Sequence, residues 1–275
     1  MIPAAFDYKR AGSSEEAVAL IAEYGDEAKL LAGGHSLIPM MKLRLAVPTV
    51  LVDIGQVGDL SYIDDRDDHV AIGALATHRS LETSELLLSQ CPILAHVASK
   101  VGDPQVRHRG TIGGSLAHAD PASDLPAAML ALGGSLIAQG PAGEREIQGS
   151  EFFTGYFESA LTDEEMVTEI RVPKAPGDSW NYQKFNRRAQ DWAIVGVAAV
   201  QVEGATRVSL VNMGSTPLRA DAVEAALAGG ASSAEAAEQA AEGTEAPTDL
   251  NASPEYRAHL ARVLTRRALN AAGIS

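Results

Sequence analysis

Two glycine pairs constrain this chain more than anything else in it. One is Gly33-Gly34, within Ala32-Gly33-Gly34-His35-Ser36-Leu37; the other is Gly113-Gly114, within Gly110-Thr111-Ile112-Gly113-Gly114-Ser115. With no Cβ, each pair lets a ligand come up against the main chain and lets amides turn toward it. Small or hydroxylated residues flank both, and consecutive N–H groups in such turns form anion-binding nests. Two of these turns about eighty residues apart fit one elongated anionic ligand held at both phosphates, a dinucleotide. The spacing is not the Rossmann fingerprint, because Gly34 is followed by no third glycine and no acidic ribose reader is assigned about twenty residues on. No Gly-Lys-Ser/Thr occurs, which excludes a P-loop.

Charge narrows the ligand and the partners. A net charge of −14 over 275 residues offers no basic face to displace counterions, so a nucleic-acid or anionic-membrane partner is not expected. An anionic cofactor must then be held by local amides rather than by overall charge. The hydrophobic share of 46% is enough for a sizeable core. Cys91 is the single cysteine and can neither form an internal disulfide nor ligate an iron–sulfur cluster, which fits a reducing cytoplasm. Beside Pro92 it reads as a small buried apolar residue rather than a reactive thiol. No basic-then-apolar leader and no apolar run of bilayer length is seen, so the expectation is a soluble cytoplasmic protein.

Periodicity and punctuation divide the chain into three parts. Over 1–57, a strand at 6–10, a helix at 15–24 capped by Ser13, a strand at 29–31, a helix at 37–43 and a strand at 49–54 make a β-α-β-α-β unit. Over 58–173, a hairpin at 60–64 and 69–73 leads to a helix from Thr77 to about Leu86 and another from Pro92 to Val101. After the second glycine pair come a helix at 124–132, a hairpin at 135–139 and 145–148, a helical piece at 151–156 and a strand at 166–172. Lys174-Ala175-Pro176-Gly177-Asp178 reads as the domain boundary. Over 178–275, three antiparallel strands (180–186, 193–202 and 207–213) precede alanine-rich helices at 220–228 and 233–242 and a final helix at 254–271. Arg257, Arg262, Arg266 and Arg267 of that helix read as a solvated face.

Several residues have both a plain and a chemical reading. His35 reads as a hydrogen-bonding loop residue in preference to a covalent flavin attachment point. His118 and Asp120 read as loop-stabilising, since no third metal ligand lies at suitable spacing. Asp124 either caps a helix or accepts hydrogen bonds from a ribose or ring edge. Trp192 either stacks on a planar ring or packs into the core. Lys184 either reaches the electron-rich end of a cofactor or is a surface strand lysine.

The motif from Ala32 to Arg44, with Gly110 to Ser115, Asp120-Pro121-Ala122-Ser123-Asp124, Asp249 to Arg257 and Leu264 to Leu269, resembles the FAD-binding medium subunit of molybdenum hydroxylases over nearly the whole chain. Within that family it resembles the aerobic carbon monoxide dehydrogenase type, related to the flavin domain of xanthine dehydrogenase. The resemblance implies an α+β fold: a two-part FAD-binding domain of the PCMH, vanillyl-alcohol-oxidase-like type, plus a C-terminal domain with a three-stranded antiparallel sheet and helices. It implies noncovalent FAD held by Ala32, Gly33, Gly34, His35, Ser36 and Leu37 and by Gly110, Thr111, Ile112, Gly113, Gly114 and Ser115. Asp124, Val167 and Lys184 match FAD-contacting positions of the related flavin domain, and Trp192 stands where an aromatic residue lies near the isoalloxazine. Ser115 departs from the Asn found in many relatives. The implied role is electron transfer, with no catalytic or metal-ligating residue in this chain. A large molybdopterin subunit and a small [2Fe–2S] subunit are the expected partners, in a dimer of heterotrimers, with quinone or NAD as external acceptor. The expected location is cytoplasmic and, through the complex, peripheral at the inner membrane face. A free-standing flavin oxidase or reductase acting directly on a small molecule is the alternative.

Overall fold

The computed structural model describes residues 1–274. Three parallel strands form the first sheet, in the spatial order Asp7–Arg10, Val50–Asp53, Ala28–Leu31. The last strand in sequence takes the centre because its Val-Leu-Val run is the most apolar of the three and is buried. Helix Ser14–Tyr24 crosses between the outer strands and buries Ala17, Val18 and Ile21 in a core shared with Val50 and Val52. Ser13 caps it by accepting from the Glu16 N–H, while the Glu16 carboxylate accepts from Gly12 N–H, one residue earlier than a capping box would place it. An acidic residue does stand twenty residues beyond Gly33, where none was expected: Asp53, which ends the central strand. Its carboxylate accepts from the Tyr8 hydroxyl at 2.5 Å and from Gly55 N–H at 2.8 Å, so it is committed locally.

The second sheet has five strands, ordered Ile63–Asp65, His69–Gly73, Met166–Pro173, Ser135–Gly140, Gly143–Gln148, all antiparallel. Helix Asp124–Leu132 lies between it and the C-terminal strands, with helix Pro92–Ser99 packed beside that helix. Every residue of Asp124–Leu132 is buried, as expected of a helix that is apolar all round and covered on both sides. The helix expected from Thr77 to Leu86 is two, His78–Thr83 and Glu85–Gln90, because the Ser84 hydroxyl caps a new start by accepting from Leu87 N–H. The piece expected to be helical over 151–156 is a single turn, Gly149–Phe152, followed by the strand Phe153–Gly155.

The C-terminal sheet is antiparallel and has four strands, Trp180–Phe185, Val195–Val202, Ala205–Val211 and Leu218–Arg219, where three were expected. The fourth is only two residues long, too short for alternation to register. Strand Val195–Val202 reads as a continuous apolar run because both its faces are covered. Ala198, Val200 and Val202 join the core of the second sheet, while Val195, Val197 and Ala199 join the core beneath helix Pro254–Ala271.

Candidate functional site

The two glycine pairs meet. A Cβ on Gly33 would stand 2.0 Å from the Arg109 carbonyl oxygen and 3.0 Å from Gly110 Cα, so the first segment lies directly on the second. A Cβ on Gly114 would come within 4.0 Å of the Ala32 Cβ. Residues 110–113 are held in place by the 74–78 segment running antiparallel beside them. His78 N–H donates to Gly110 O, Ile112 N–H to Ala76 O and Gly113 N–H to Ala74 O, at 2.9, 3.0 and 2.9 Å. Gly113 is glycine for that reason: a Cβ there would strike the Ala74 backbone at 2.7 Å.

The pairs differ in conformation and in what they present. Gly34 has φ +77° and opens a turn into helix Leu37–Leu43. Across Gly33, Gly34, His35, Ser36 and Leu37, the backbone N–H groups donate to no acceptor among the described residues. Such a row of consecutive unpaired amides is a nest for an anion. The downstream pair lies inside the first turn of helix Ile112–His118, not in a bend ahead of it. Its amides are already used: Gly114 N–H donates to Thr111 Oγ1 at 3.2 Å and Ser115 N–H to Thr111 O at 3.0 Å. What this segment offers is an exposed, side-chain-free surface at Gly114, with Ala117 exposed on the same face. A cavity of ≈180 Å³ opens beside the contact, lined by Ala32, Gly33, Thr77, His108, Arg109 and Thr111 together with the 55–58 turn. It lies at the carboxyl ends of parallel strands, the usual place for a ligand in such a sheet. A larger cavity of ≈640 Å³, between Gly149, Ser150 and the 216–222 segment, shares no residue with either glycine pair.

His35 is exposed at the mouth of the nest. His78, behind Gly110, is buried, with its Nδ1 unpartnered; burial, with His35 and Arg107 nearby, lowers its pKa to about 4. Val167 is buried at a bulge of the central strand of the second sheet, so its side chain faces core. The neighbouring Thr168 carbonyl accepts from Ala74 N–H at 2.9 Å, linking that strand to the 74–78 segment.

Asp124 and Lys184 are brought to each other and hydrogen-bonded to neither glycine pair. Lys184 Nζ lies 2.8 Å from Asp124 Oδ2 and donates to Lys100 O at 3.0 Å, and both side chains are buried. Lys184 is therefore not a surface strand lysine, nor does the Asp124 side chain cap its helix. Burial pushes the Asp124 carboxyl above its usual range, against the pull of Lys184 and of the Tyr182 hydroxyl. Trp192 is 67% exposed, which removes its core-packing reading. The base of its loop is pinned by Asn212, whose amide donates to Ala193 O at 2.9 Å, and by the Arg257 guanidinium on Ile194 O. Sequence reasoning passed over Tyr182 and His78. The signal for Tyr182 was its place two residues before Lys184, on the same face of one strand.

Two family models cover the chain. Residues 4–175 match the FAD binding domain in molybdopterin dehydrogenase, and residues 180–272 match the CO dehydrogenase flavoprotein C-terminal domain. The chain belongs to the FAD-binding subunits of the molybdopterin dehydrogenases. It is 40% identical to the carbon monoxide dehydrogenase medium chain of Hydrogenophaga pseudoflava, covering 99% of this chain and 98% of that one. It is 39% identical to the alpha subunit of the 6-hydroxypseudooxynicotine dehydrogenase complex of Paenarthrobacter nicotinovorans, over 98% and 95%. The solved carbon monoxide dehydrogenase of H. pseudoflava that lacks the Mo-pyranopterin moiety matches with a TM-score of 0.95 at 41% identity, over 99% of both chains. FAD is thus the cofactor of this flavoprotein, a subunit of an oxidoreductase. The donor set fits it: a row of free amides suits a diphosphate, and bare glycine opposite leaves room for its approach. No helix among the described residues is long and apolar enough to cross a membrane.

Proposed function

We propose that this chain is the electron-transfer subunit of a carbon monoxide dehydrogenase-like molybdenum hydroxylase, relaying electrons from partner [2Fe–2S] clusters to an external acceptor such as quinone or NAD. Bound FAD supplies redox chemistry that matches a two-electron oxidation to one-electron carriers. The observation that carries the reading is the contact of Gly33 with Arg109 and Gly110, which brings a segment of five unpaired amides beside the exposed Gly114 of the second segment. In a chain of net charge −14, those amides supply a local attraction for a diphosphate that works against the overall negative charge.

The residues divide the work. Ala32 to Leu37 bind the diphosphate by main-chain N–H, and Thr111, Gly114 and Ser115 shape the opposite wall. Trp192, standing free on its loop, covers the ring face. Asp124 and Lys184 place a fixed charge pair at the seam between the second sheet and the C-terminal sheet. Val167 contributes through its backbone, since its side chain is buried. His35 stays uncoupled, leaving the cofactor noncovalent. The same reading divides the chain at 1–57, 58–173 and 178–275.

With one cysteine, buried, the chain can ligate no [2Fe–2S] cluster, so a small iron–sulfur subunit and a large molybdopterin subunit complete the enzyme as a dimer of heterotrimers. The complex is cytoplasmic and rests peripherally on the inner membrane face. Purified chain should bind one FAD, quenching its fluorescence, and acid or urea should release all of it into the supernatant. Absence of binding by titration would overturn the proposal, and flavin that stays on the denatured polypeptide would overturn the noncovalent part.

A further inference from the structure

We propose that Tyr182 is a positioning residue of the cofactor site: seated over Gly196, its hydroxyl holds the Asp124 carboxylate toward Lys184 and so fixes the buried ammonium of Lys184 at the seam between the second sheet and the C-terminal sheet. This deepens the reading above and rests on it only for what the ammonium faces.

The geometry is complete within the chain. Tyr182 is 5% exposed, and its hydroxyl donates to Asp124 Oδ1 at 2.5 Å. Lys184 takes the other oxygen at 2.8 Å and spends a second donor on Lys100 O at 3.0 Å. Both carboxylate oxygens are therefore engaged from one strand, by residues two apart on its buried face. Burial and the adjacent carboxylate raise the Tyr182 phenol well above its ordinary value, so it stays protonated and can only donate here. Gly196 explains itself in the same network. Glycine weakens a central strand, yet a Cβ at 196 would stand 2.9 Å from the Tyr182 hydroxyl oxygen and 2.9 Å from Val211 Cγ2 across the ladder. Glycine there leaves the phenol room to reach Asp124.

Desolvating a carboxylate and an ammonium is costly, and their attraction offsets that cost only when the remaining lone pairs and protons are satisfied. The Tyr182 bond satisfies the oxygen that Lys184 does not reach. Without it, Asp124 can turn away from Lys184, and the ammonium loses its fixed position.

The test uses the full chain and four proteins: wild type, Tyr182→Phe, Gly196→Ala and Asp124→Asn. The first readout needs no cofactor: acylation of each lysine by an amine-reactive ester, followed by mass spectrometry, with exposed Lys29 and Lys42 as internal references. Removing a hydrogen bond to a charged group should speed Lys184 labelling by about tenfold in Tyr182→Phe. Gly196→Ala, which keeps the phenol but displaces it, and Asp124→Asn should do the same, while Lys29 and Lys42 stay unchanged. The second readout is FAD titration, in which Tyr182→Phe should alter the bound-flavin absorbance band and weaken binding under conditions where the variant is still fully folded. Equal protection of Lys184 in wild type and Tyr182→Phe overturns the inference, as does faster labelling of all lysines together. A wild type that protects Lys184 but takes up no FAD would sink the cofactor reading while leaving Tyr182 as the holder of the pair.

Discussion

A methyl group added at Gly33 and one added at Gly114 should have different effects, although each residue belongs to a glycine pair. At Gly33 the new Cβ meets main chain at 2.0 Å, which cannot rotate aside, so Gly33→Ala must push the two segments apart. That is overpacking, and a loss of about 3 kcal/mol by urea denaturation is expected together with loss of FAD binding. At Gly114 the Cβ meets no backbone, only the Thr111 hydroxyl at 2.8 Å and, at 4.0 Å, the Ala32 methyl. Gly114→Ala should therefore lose less than about 1 kcal/mol of stability while weakening FAD at least severalfold, because the methyl stands where the ligand approaches. A second single-residue effect follows from His78. Its folded pKa of about 4 lies below the ordinary imidazole value of 6.5, so between those values the unfolded chain holds a proton that the native one does not. Stability is full above pH 6.5 and falls as pH drops toward 4, by about 3 kcal/mol at the lower end. Urea midpoints between pH 7 and 4.5 should show that slope in wild type and a shallower one in His78→Leu.

At the level of elements, caps and breakers were the most legible signals. Helix Pro254–Ala271 starts and ends where the sequence placed it, because Ser253 caps it and Pro254 begins it. The break at Ser84 was legible but passed over: Glu82-Thr83-Ser84-Glu85 interrupts the apolar residues, and the Ser84-Glu85 pair is itself a cap signal. The final helix also shows what charge counting misses. Arg257, expected in solvent with Arg262, Arg266 and Arg267, is completely buried. Its Nε donates to Pro247 O at 2.9 Å, its guanidinium reaches Ile194 O, and another nitrogen lies 2.8 Å from Asp249 Oδ2. The 244–253 loop, which carries Asp249 and Pro247, is non-repetitive, so no periodicity could announce that it folds over the helix. The paired segments at the candidate site were legible for a different reason: glycines that admit backbone contact leave a trace in the sequence. Tyr182 leaves only a weaker one, its place two residues before Lys184 on the same strand face. Arg257→Met keeps length and removes every donor, and should cost about 3 kcal/mol, since it leaves the Pro247 and Ile194 carbonyls without their donor. Arg257→Lys, with one nitrogen where three are used, should recover only part of that in urea unfolding.

Across the whole molecule, the family models divide the chain near residue 175, but the packing does not stop there. Tyr182, Ala193, Ala198, Val200, Val202 and Val211 share one core with Leu125, Met129, Ile170 and Phe152 on the other side of that division. The C-terminal sheet thus has two apolar faces, of which only one is covered by its own helices. Cut free, residues 180–275 would expose the other face, and a sheet without its cover is not an independent folding unit. The 63–173 region would in turn uncover helix Asp124–Leu132, which is buried on every side and has no polar face to turn to water. Calorimetry of the intact chain should accordingly show these two parts melting in one transition, with calorimetric and van't Hoff enthalpies in agreement. Expressed alone, the 180–275 fragment should be insoluble or bind a hydrophobic dye, and co-expression with 1–175 should restore a soluble pair. Two well-separated transitions in the intact chain, or a monomeric, cooperatively folded 180–275 fragment, would show that the shared core does not couple them.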